Sequence, residues 1–377
     1  MERREIWKHF DYWLFGAVII LCTFGVAMIR SAIAGNAVLA GLVTRQMIFI
    51  GVSLGVILVI ALIDYHYYYS LSRLMYGFAV VSLLVIFVYG EARYGSARWV
   101  DTGLILVQPS ELAKIIIIIV LAAYFASQKN APRNLEWIIK GFLITFGVVV
   151  WILLQPNLST SIVIFILWFS MMWVSGLPVK YVALFSGLAV VGLVLVLGLV
   201  LIVGVENIPF IEPYQFQRVI NFAAPDPEAR HGETYNVDQA LITIGSGGLL
   251  GQGYGQGTQV QHRFLKVRHT DFIFSAMAQE FGFVGTVIII SLLVFVIFRC
   301  FRAAALSADM FGSLIAFGFG FLIFFQTAVN IGVNLKVIPV TGLTLPFISY
   351  GGSSMLSLAL GIGLVESVIA RHKPLEF

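Results

Sequence analysis

The sequence predicts an all-α polytopic membrane protein, with about ten transmembrane helices and one long extracytoplasmic loop, in a single integral membrane domain over residues 1–377. Three observations carry that expectation. Mean hydropathy is +0.95, with 59% hydrophobic and 11% charged residues, where a soluble domain carries about 25% charged. The apolar residues come in runs of about 20, the length that crosses about 30 Å of hydrocarbon. Lys and Arg fall between those runs and not in one patch, so the net charge of +4 reflects topology and not a nucleic-acid partner.

In order, the apolar runs place spans near 12–30, 46–63, 73–89, 111–126, 137–154, 160–174, 180–205, 272–298, 311–334 and 353–370. Arg3, Arg4 and Lys8 ahead of the first run, and Ala32-Ile33-Ala34 after it, have the look of a secretory signal. The run from Tyr12 to Ile29 is longer than a signal core and many spans follow, so the first span is read as retained. An even number of spans puts both termini on one side. Connections on that side carry Arg3, Arg4, Lys8, Arg73, Lys129, Arg133, Lys140, Lys180, Arg299, Arg302, Arg371 and Lys373, against Arg30, Arg45, Arg93, Arg98 and Lys336 opposite. That bias predicts cytoplasmic termini. Residues 206–270 then lie outside as the long loop, between spans seven and eight. Pro209, Pro213, Pro225 and Pro227 interrupt any continuous helix there, and Tyr235 to Leu249 suits a short amphipathic helix on the membrane surface. Cys22 and Cys300 lack motif spacing and read as packing residues.

The chemistry concentrates in Gln261-His-Arg-Phe-Leu-Lys-Val-Arg-His-Thr-Asp-Phe-Ile-Phe-Ser275, where a basic loop enters an apolar helix with Asp271 at the seam. A carboxylate beside Arg268 and His269 at the mouth of a span is costly unless used, which makes Asp271 the candidate catalytic group. It also suits an N-cap of that span. Gln108-Pro-Ser-Glu-Leu-Ala-Lys114 reads as a helix start, with Glu111 and Lys114 on one face, either lining a wet cavity or forming a structural ion pair. Trp99 suits an aromatic belt, while Arg98 at the same level suits phosphate. Gln155-Pro-Asn-Leu-Ser-Thr160 is a tight turn that offers Asn157 as a polar cavity residue.

Two glycine-rich segments add backbone amides. Gly245 to Gly257 either cradles a pyrophosphate or forms a run of positive-φ turns, and it lacks the ending of a nucleotide-binding P-loop. Pro346-Phe-Ile-Ser-Tyr-Gly-Gly-Ser-Ser354 places Ser349 and Ser353 at a helix N-terminus, suited to an anion or to close helix packing. Asp271, Glu111, Lys114, Arg98, Asn157 and Ser353 all fall at the outer membrane level, where a lipid-linked substrate would present its head group.

Arg268-His-Thr-Asp-Phe-Ile-Phe274, Gln108-Pro-Ser-Glu-Leu-Ala-Lys114, Ile244-Gly-Ser-Gly-Gly248 and Ile348-Ser-Tyr-Gly-Gly-Ser353 together resemble the SEDS family (shape, elongation, division and sporulation) over nearly the whole chain. The arginine before His-Thr-Asp leans toward its RodA branch and away from FtsW. The resemblance implies a ten-span peptidoglycan glycosyltransferase of the bacterial plasma membrane, polymerising lipid II onto undecaprenyl-linked glycan beside a class B penicillin-binding protein. It implies that Asp271 is the essential acid, that Glu111 and Lys114 belong to the central cavity, and that Arg218, Gln239, Ser246 and Gly247 belong to the outer loop. Arg268, His269, Thr270, Ser349 and Ser353 enter the same substrate-binding set with Arg98, Trp99 and Asn157. Two departures stand out. The Gln-Pro-Asp-Leu-Gly-Thr common in the family is here Gln155-Pro-Asn-Leu-Ser-Thr160, and acids expected before Arg268 are replaced around Arg263, Lys266 and Val267.

On this reading Asp271 is a general base on a sugar hydroxyl, and Lys114, Arg98, Arg218 or a divalent cation such as Mg or Mn offsets the pyrophosphate leaving group. No organic cofactor is expected. A lipid II flippase is the alternative, and a scaffold for wall enzymes a second. Sidedness separates the first two: a flippase needs buried charge through the full depth, whereas this sequence places it at one face.

Overall fold

A computed structural model describes residues 7–89, 91–93, 96–101, 106–203, 218, 222 and 233–372. Helices stand at all ten predicted places: α1 Tyr12–Ala32, α2 Gly41–Leu62, α3 His66–Tyr89, α4 Pro109–Ser127, α5 Leu135–Leu154, α6 Leu158–Val174 and α7 Val179–Val203, then, after α8 Glu233–Ser246, α9 Ile273–Leu306, α10 Met310–Asn334 and α11 Gly352–Ile369. Eight are long and apolar enough to cross a membrane; α6, with 17 residues, and the apolar 179–192 part of α7 are shorter. The helix starts are legible in side chains. Asp11 accepts from the Leu14 amide at 3.0 Å and Asp309 from the Gly312 amide at 2.8 Å, and α4 opens on Pro109 with Glu111 in its first turn.

The sequence reading places no strand between α3 and α4, but a small antiparallel sheet of order β1-β2-β3 stands there: β1 Glu91–Arg93, β2 Ser96–Asp101 and β3 Leu106–Val107. Arg93 of β1 pairs with Ser96 of β2.

Both ends of the described chain meet at one end of the bundle, here the near end. The rings of His9 and His372 lie edge to face at 5.4 Å, and the Asp11 amide donates to Glu366 Oε2 at 2.9 Å. Helix α4 is the axis, packed by α3, α5, α6, α10 and α11, and Ile115 through Leu121 are buried on all sides. An all-apolar helix must be enclosed by protein or lipid. The exposed apolar residues of α2, α3 and α9, among them Ile48, Leu74, Phe78, Ile288 and Phe298, are lipid-facing. Cys22 and Cys300 are buried free thiols, as the packing reading requires.

Helix α9 corrects the eighth predicted span. It breaks at Gly282, whose φ of 66° and ψ of −167° are not helical. The first half, 273–281, is enclosed by protein: Phe272 to Glu280 are all buried. Its start is bonded to Asn334, the last residue of α10, and its end to Ser31 at the last turn of α1. It therefore lies across the far ends of the bundle. The remainder, 283–306, has about 24 residues and is long enough at about 36 Å to cross alone.

The break explains the glycine-rich run. A helix interrupted at Gly282 leaves the carbonyls of Gln279 and Glu280 without their usual N–H donors four residues on. The amides of Gln252 and Gly253 take those two carbonyls at 2.9 and 3.0 Å, while the amides of Phe283 and Val284 turn to Gly248 and Leu249 at 2.9 and 3.1 Å. The amides of Gln252 and Gly253 are thus consumed in holding the half-helix and that of Gly251 in a turn onto the Gly247 carbonyl, which favours the run-of-turns reading over the pyrophosphate cradle. Gly251 has φ 82°, and a Cβ there would stand 2.2 Å from the Glu280 carbonyl oxygen. Gly251→Ala is expected to cost about 2–5 kcal/mol, from left-handed strain plus overpacking. Gly255→Ala, at φ 71° but in open space, should cost only about 1–2. Thermal midpoints of the two variants check this; equal losses would refute the interlock.

Candidate active site

Three segments converge at the far end: the loop before α9, the α10 terminus and the approach to α11. In the loop, Val267 has φ 52°, costly for a β-branched residue. Its carbonyl accepts from the Thr270 amide at 3.2 Å, the Thr270 hydroxyl at 3.3 Å and the Phe272 amide at 3.4 Å. This tight turn sets Asp271 at its rim. The Asp271 carbonyl accepts from Asn330 Nδ2 at 3.0 Å and Asn334 Nδ2 at 2.9 Å. Asn334 also accepts from the Ser275 hydroxyl at 2.6 Å and amide at 3.2 Å. Asp271 is half-buried, with Oδ2 beside Gly342. The expected N-cap role is corrected: the cap of α9 is Phe272, with no side-chain cap bond.

The approach to α11 ties the loop to α4. Ser349 donates to the Thr270 carbonyl at 2.8 Å, and the Tyr350 amide donates to the His269 carbonyl at 3.0 Å. Asn330 Nδ2 also donates to the Leu343 carbonyl at 2.8 Å, and the Thr344 and Ser354 hydroxyls meet at 3.3 Å. One turn on, the Gln108 amide donates to Ser353 at 3.0 Å, and Ser357 donates to Glu111 Oε2 at 3.4 Å. Residues 341–357 thereby link Asp271 to the Glu111–Lys114 pair. The expected anion site here is corrected in part: the amides of Ser349, Tyr350 and Gly351 are already donated, to Leu345, His269 and Gln46.

Lys114 Nζ lies 2.8 Å from Glu111 Oε1, with side-chain exposures of 1% and 14%. Such a pair is costly to break, about 3–5 kcal/mol, because the remaining charge stays buried. The ion-pair reading therefore holds geometrically, and Glu111 is the more exposed member.

Other predicted residues fall elsewhere. Asn157 is buried and caps α6, its side chain accepting from the Thr160 amide at 3.3 Å; its neighbour Ser159 reaches the site instead, donating to the Thr341 carbonyl at 2.5 Å. Arg268 is buried and turned backward, donating to the Ala32 carbonyl and, at 3.2 Å, to that of Leu265. Its charge completes the end of α1. Burial, and then Arg268, hold the His269 imidazole below its ordinary pKa, and the ring stands 6.2 Å from that of Tyr350. Ser246 accepts from Gln279 Nε2 at 2.8 Å and Gly247 packs on the Ala278 carbonyl, both at the opposite end of the half-helix from Asp271. Gln239 lies on α8, where its carbonyl accepts from Thr243 at 2.5 Å. Helix α8, expected over Tyr235 to Leu249, runs Glu233–Ser246 and buries Val237, Ala240 and Thr243, packing on α9 and α10. Trp99 is half-buried on β2. The side chain of Arg98 and the neighbours of a half-buried Arg218 lie outside the described residues.

Sequence reasoning missed Asn330 and Asn334, buried amides four apart on a span. That spacing was the available signal, since polar groups inside a membrane sit on one helix face only when they are partnered. It also missed charge at the near end. Asp11 and Glu366 are buried there, with Asp11 paired to Arg299, so buried charge occupies both ends and not one face. The middle of each described span carries none. Among the described residues no group of three or more His, Cys, Asp or Glu comes together to hold a metal.

The family model for FtsW, RodA and SpoVE, described as cell cycle protein, matches residues 12–374. The chain belongs to that family. This FtsW/RodA/SpoVE protein is 34% identical over 369 residues to the probable peptidoglycan glycosyltransferase FtsW of Hydrogenovibrio crunogenus, covering 95% of this chain and 91% of the relative. It is 32% identical to the peptidoglycan glycosyltransferase MrdB of Escherichia coli K12, over 100% and 98%. Among solved structures, it resembles a chain of a peptidoglycan synthase complex that coordinates polymerization and crosslinking, at TM-score 0.80 and 30% identity over 96% and 97%. The rod shape determining protein RodA of Thermus thermophilus matches at TM-score 0.68 and 29% identity, over 96% of each chain.

Proposed function

We propose that this protein is a peptidoglycan glycosyltransferase that polymerises lipid II at the outer face of the plasma membrane, serving elongation and rod shape. The observation that carries this reading is Asp271: a half-buried carboxylate on a turn whose carbonyl is gripped by two buried amides, at the bundle end opposite both described termini. The far end then faces outward, where the head groups of lipid II and undecaprenyl-linked glycan are presented.

In the proposed step Asp271 takes the proton of the 4-hydroxyl of one lipid II. That oxygen forms its bond to the anomeric carbon of the second lipid-linked chain as the bond from carbon to pyrophosphate oxygen breaks, inverting the centre. Lipid pyrophosphate leaves with the electron pair. Because Lys114 is buried against Glu111, the positive charge at the leaving group falls to Arg218, Arg98 or a divalent ion. An ion held by one carboxylate and substrate phosphates suits the residues present better than an all-protein cage. A class B penicillin-binding protein is the proposed partner, crosslinking the emerging strand.

The absence of charge from the middle of the described spans favours this reading over a flippase. Purified protein, with and without its penicillin-binding partner, should convert labelled lipid II into a ladder of glycan strands. Movement of labelled lipid II between vesicle leaflets with no ladder would overturn it.

A further inference from the structure

A pocket of about 360 Å³ opens at the near end, between the start of α1 and the ends of α9 and α11. This is within the range of small-molecule sites, about 300–1,000 Å³. Its basic lining residues are Lys8, Arg299 and Arg302, beside the imidazoles of His9 and His372. Asp11 is the acid in the lining, and it is fully committed: Oδ1 accepts from the Leu14 amide at 3.0 Å and Oδ2 is paired with Arg299. Glu366 lies behind Asp11, bonded to its amide, and does not line the pocket. Among the described residues Lys8 and Arg302 make no ion pair, so the described lining keeps an excess of positive charge.

The apolar lining includes Trp13, Leu306 and Ile369. Trp13 and Tyr12 are 75% and 60% exposed at the first turn of α1, the aromatic-belt position that marks head-group depth. Further along the same surface Ile19, Ile20 and Phe298 are exposed to the hydrocarbon. Cations at head-group depth above a lipid-facing apolar wall match an amphipathic anion, with its charge in the pocket and its chains along α1 and α9. A soluble anion would gain nothing from that wall.

We infer that this pocket seats the phosphate of an anionic phospholipid in the leaflet on the side of the termini. It lies at the opposite end of the bundle from Asp271 and takes no part in glycosyl transfer. The proposal is independent of the polymerase reading.

The test titrates purified full-length protein in detergent with fluorescent phosphatidylglycerol and with phosphatidylcholine of the same chains. The expected preference for the anionic lipid is about tenfold or more, from two uncompensated cations. The double variant Lys8→Gln, Arg302→Gln should fall to within about twofold, while Lys266→Gln, exposed in the far-end loop, should keep the full preference. Lys8 and Arg302 are exposed, so the double variant should keep its thermal midpoint. Equal binding of the two lipids, or a preference that survives in the double variant, would overturn the proposal. Displacement of the lipid by millimolar inorganic phosphate would also overturn it, by marking a site for a soluble anion.

Discussion

Asp271→Asn is expected to leave the thermal midpoint within about 1 kcal/mol of wild type and to lower polymerisation of lipid II by at least about 10²–10⁴-fold, the range for losing a positioned general base. The structural half of this expectation rests on the backbone. The Asp271 carbonyl is held by Asn330 and Asn334 and by the turn around Val267, and the cap of α9 is not a bond to its carboxylate. The amide is isosteric and keeps all of this. It removes the negative charge that accepts a proton. Asp271→Glu keeps the charge but moves it by one methylene, and a misplacement of about 1 Å costs about 10²-fold, so partial activity is expected. Rates in a continuous lipid II assay, set beside thermal midpoints, check both. An active Asp271→Asn enzyme would remove the proposed base from the mechanism.

How much of this was legible beforehand depended on whether a feature is local. The places of the helices follow from apolar runs that see only lipid or one another, and the starts at Asp11 and Pro109 are written in one or two side chains. The Glu111–Lys114 pair is one helical turn and was equally readable. The break at Gly282 was not, because a single glycine inside an apolar run looks like any other small residue in a membrane helix. Its meaning depends on amides and carbonyls of the 248–253 run that replace its lost bonds, a contact between segments about 30 residues apart. For the same reason the glycine-rich run carried two readings until its partner was known. Arg268 misled by sequence adjacency: it neighbours Asp271 in the chain, but its guanidinium is spent on the end of α1. The near-end charges failed for a different reason. Asp11 and Glu366 flank the first and last spans, so each passes for an interfacial residue until the two helices are seen side by side.

Asn334→Ala should reduce kcat nearly as far as loss of the base does, by about 10²-fold, with a smaller change in KM. Asn334 is fully buried, and its side chain serves three partners at once: the Asp271 carbonyl, the Asn330 carbonyl and Ser275 in the first turn of the half-helix. Truncation frees the Asp271 turn to move and strands buried polar groups, at about 1–3 kcal/mol each, so a lower thermal midpoint accompanies the loss. A merely structural residue would give that second effect without the first. Asn334→Asp separates them. Its carboxylate still accepts from Ser275, but it has no N–H for the Asp271 carbonyl and sets oxygen against oxygen there, so Asp271 is misplaced while the half-helix stays anchored. The expected signature is a kcat deficit comparable to that of the alanine variant with a smaller loss of midpoint. Asn330→Ala, which leaves Asn334 to hold the Asp271 carbonyl, should fall between them and wild type. If Asn334→Asp turned over at the wild-type rate, the grip on the Asp271 carbonyl would be incidental, and the base would owe its placement to the Val267 turn alone.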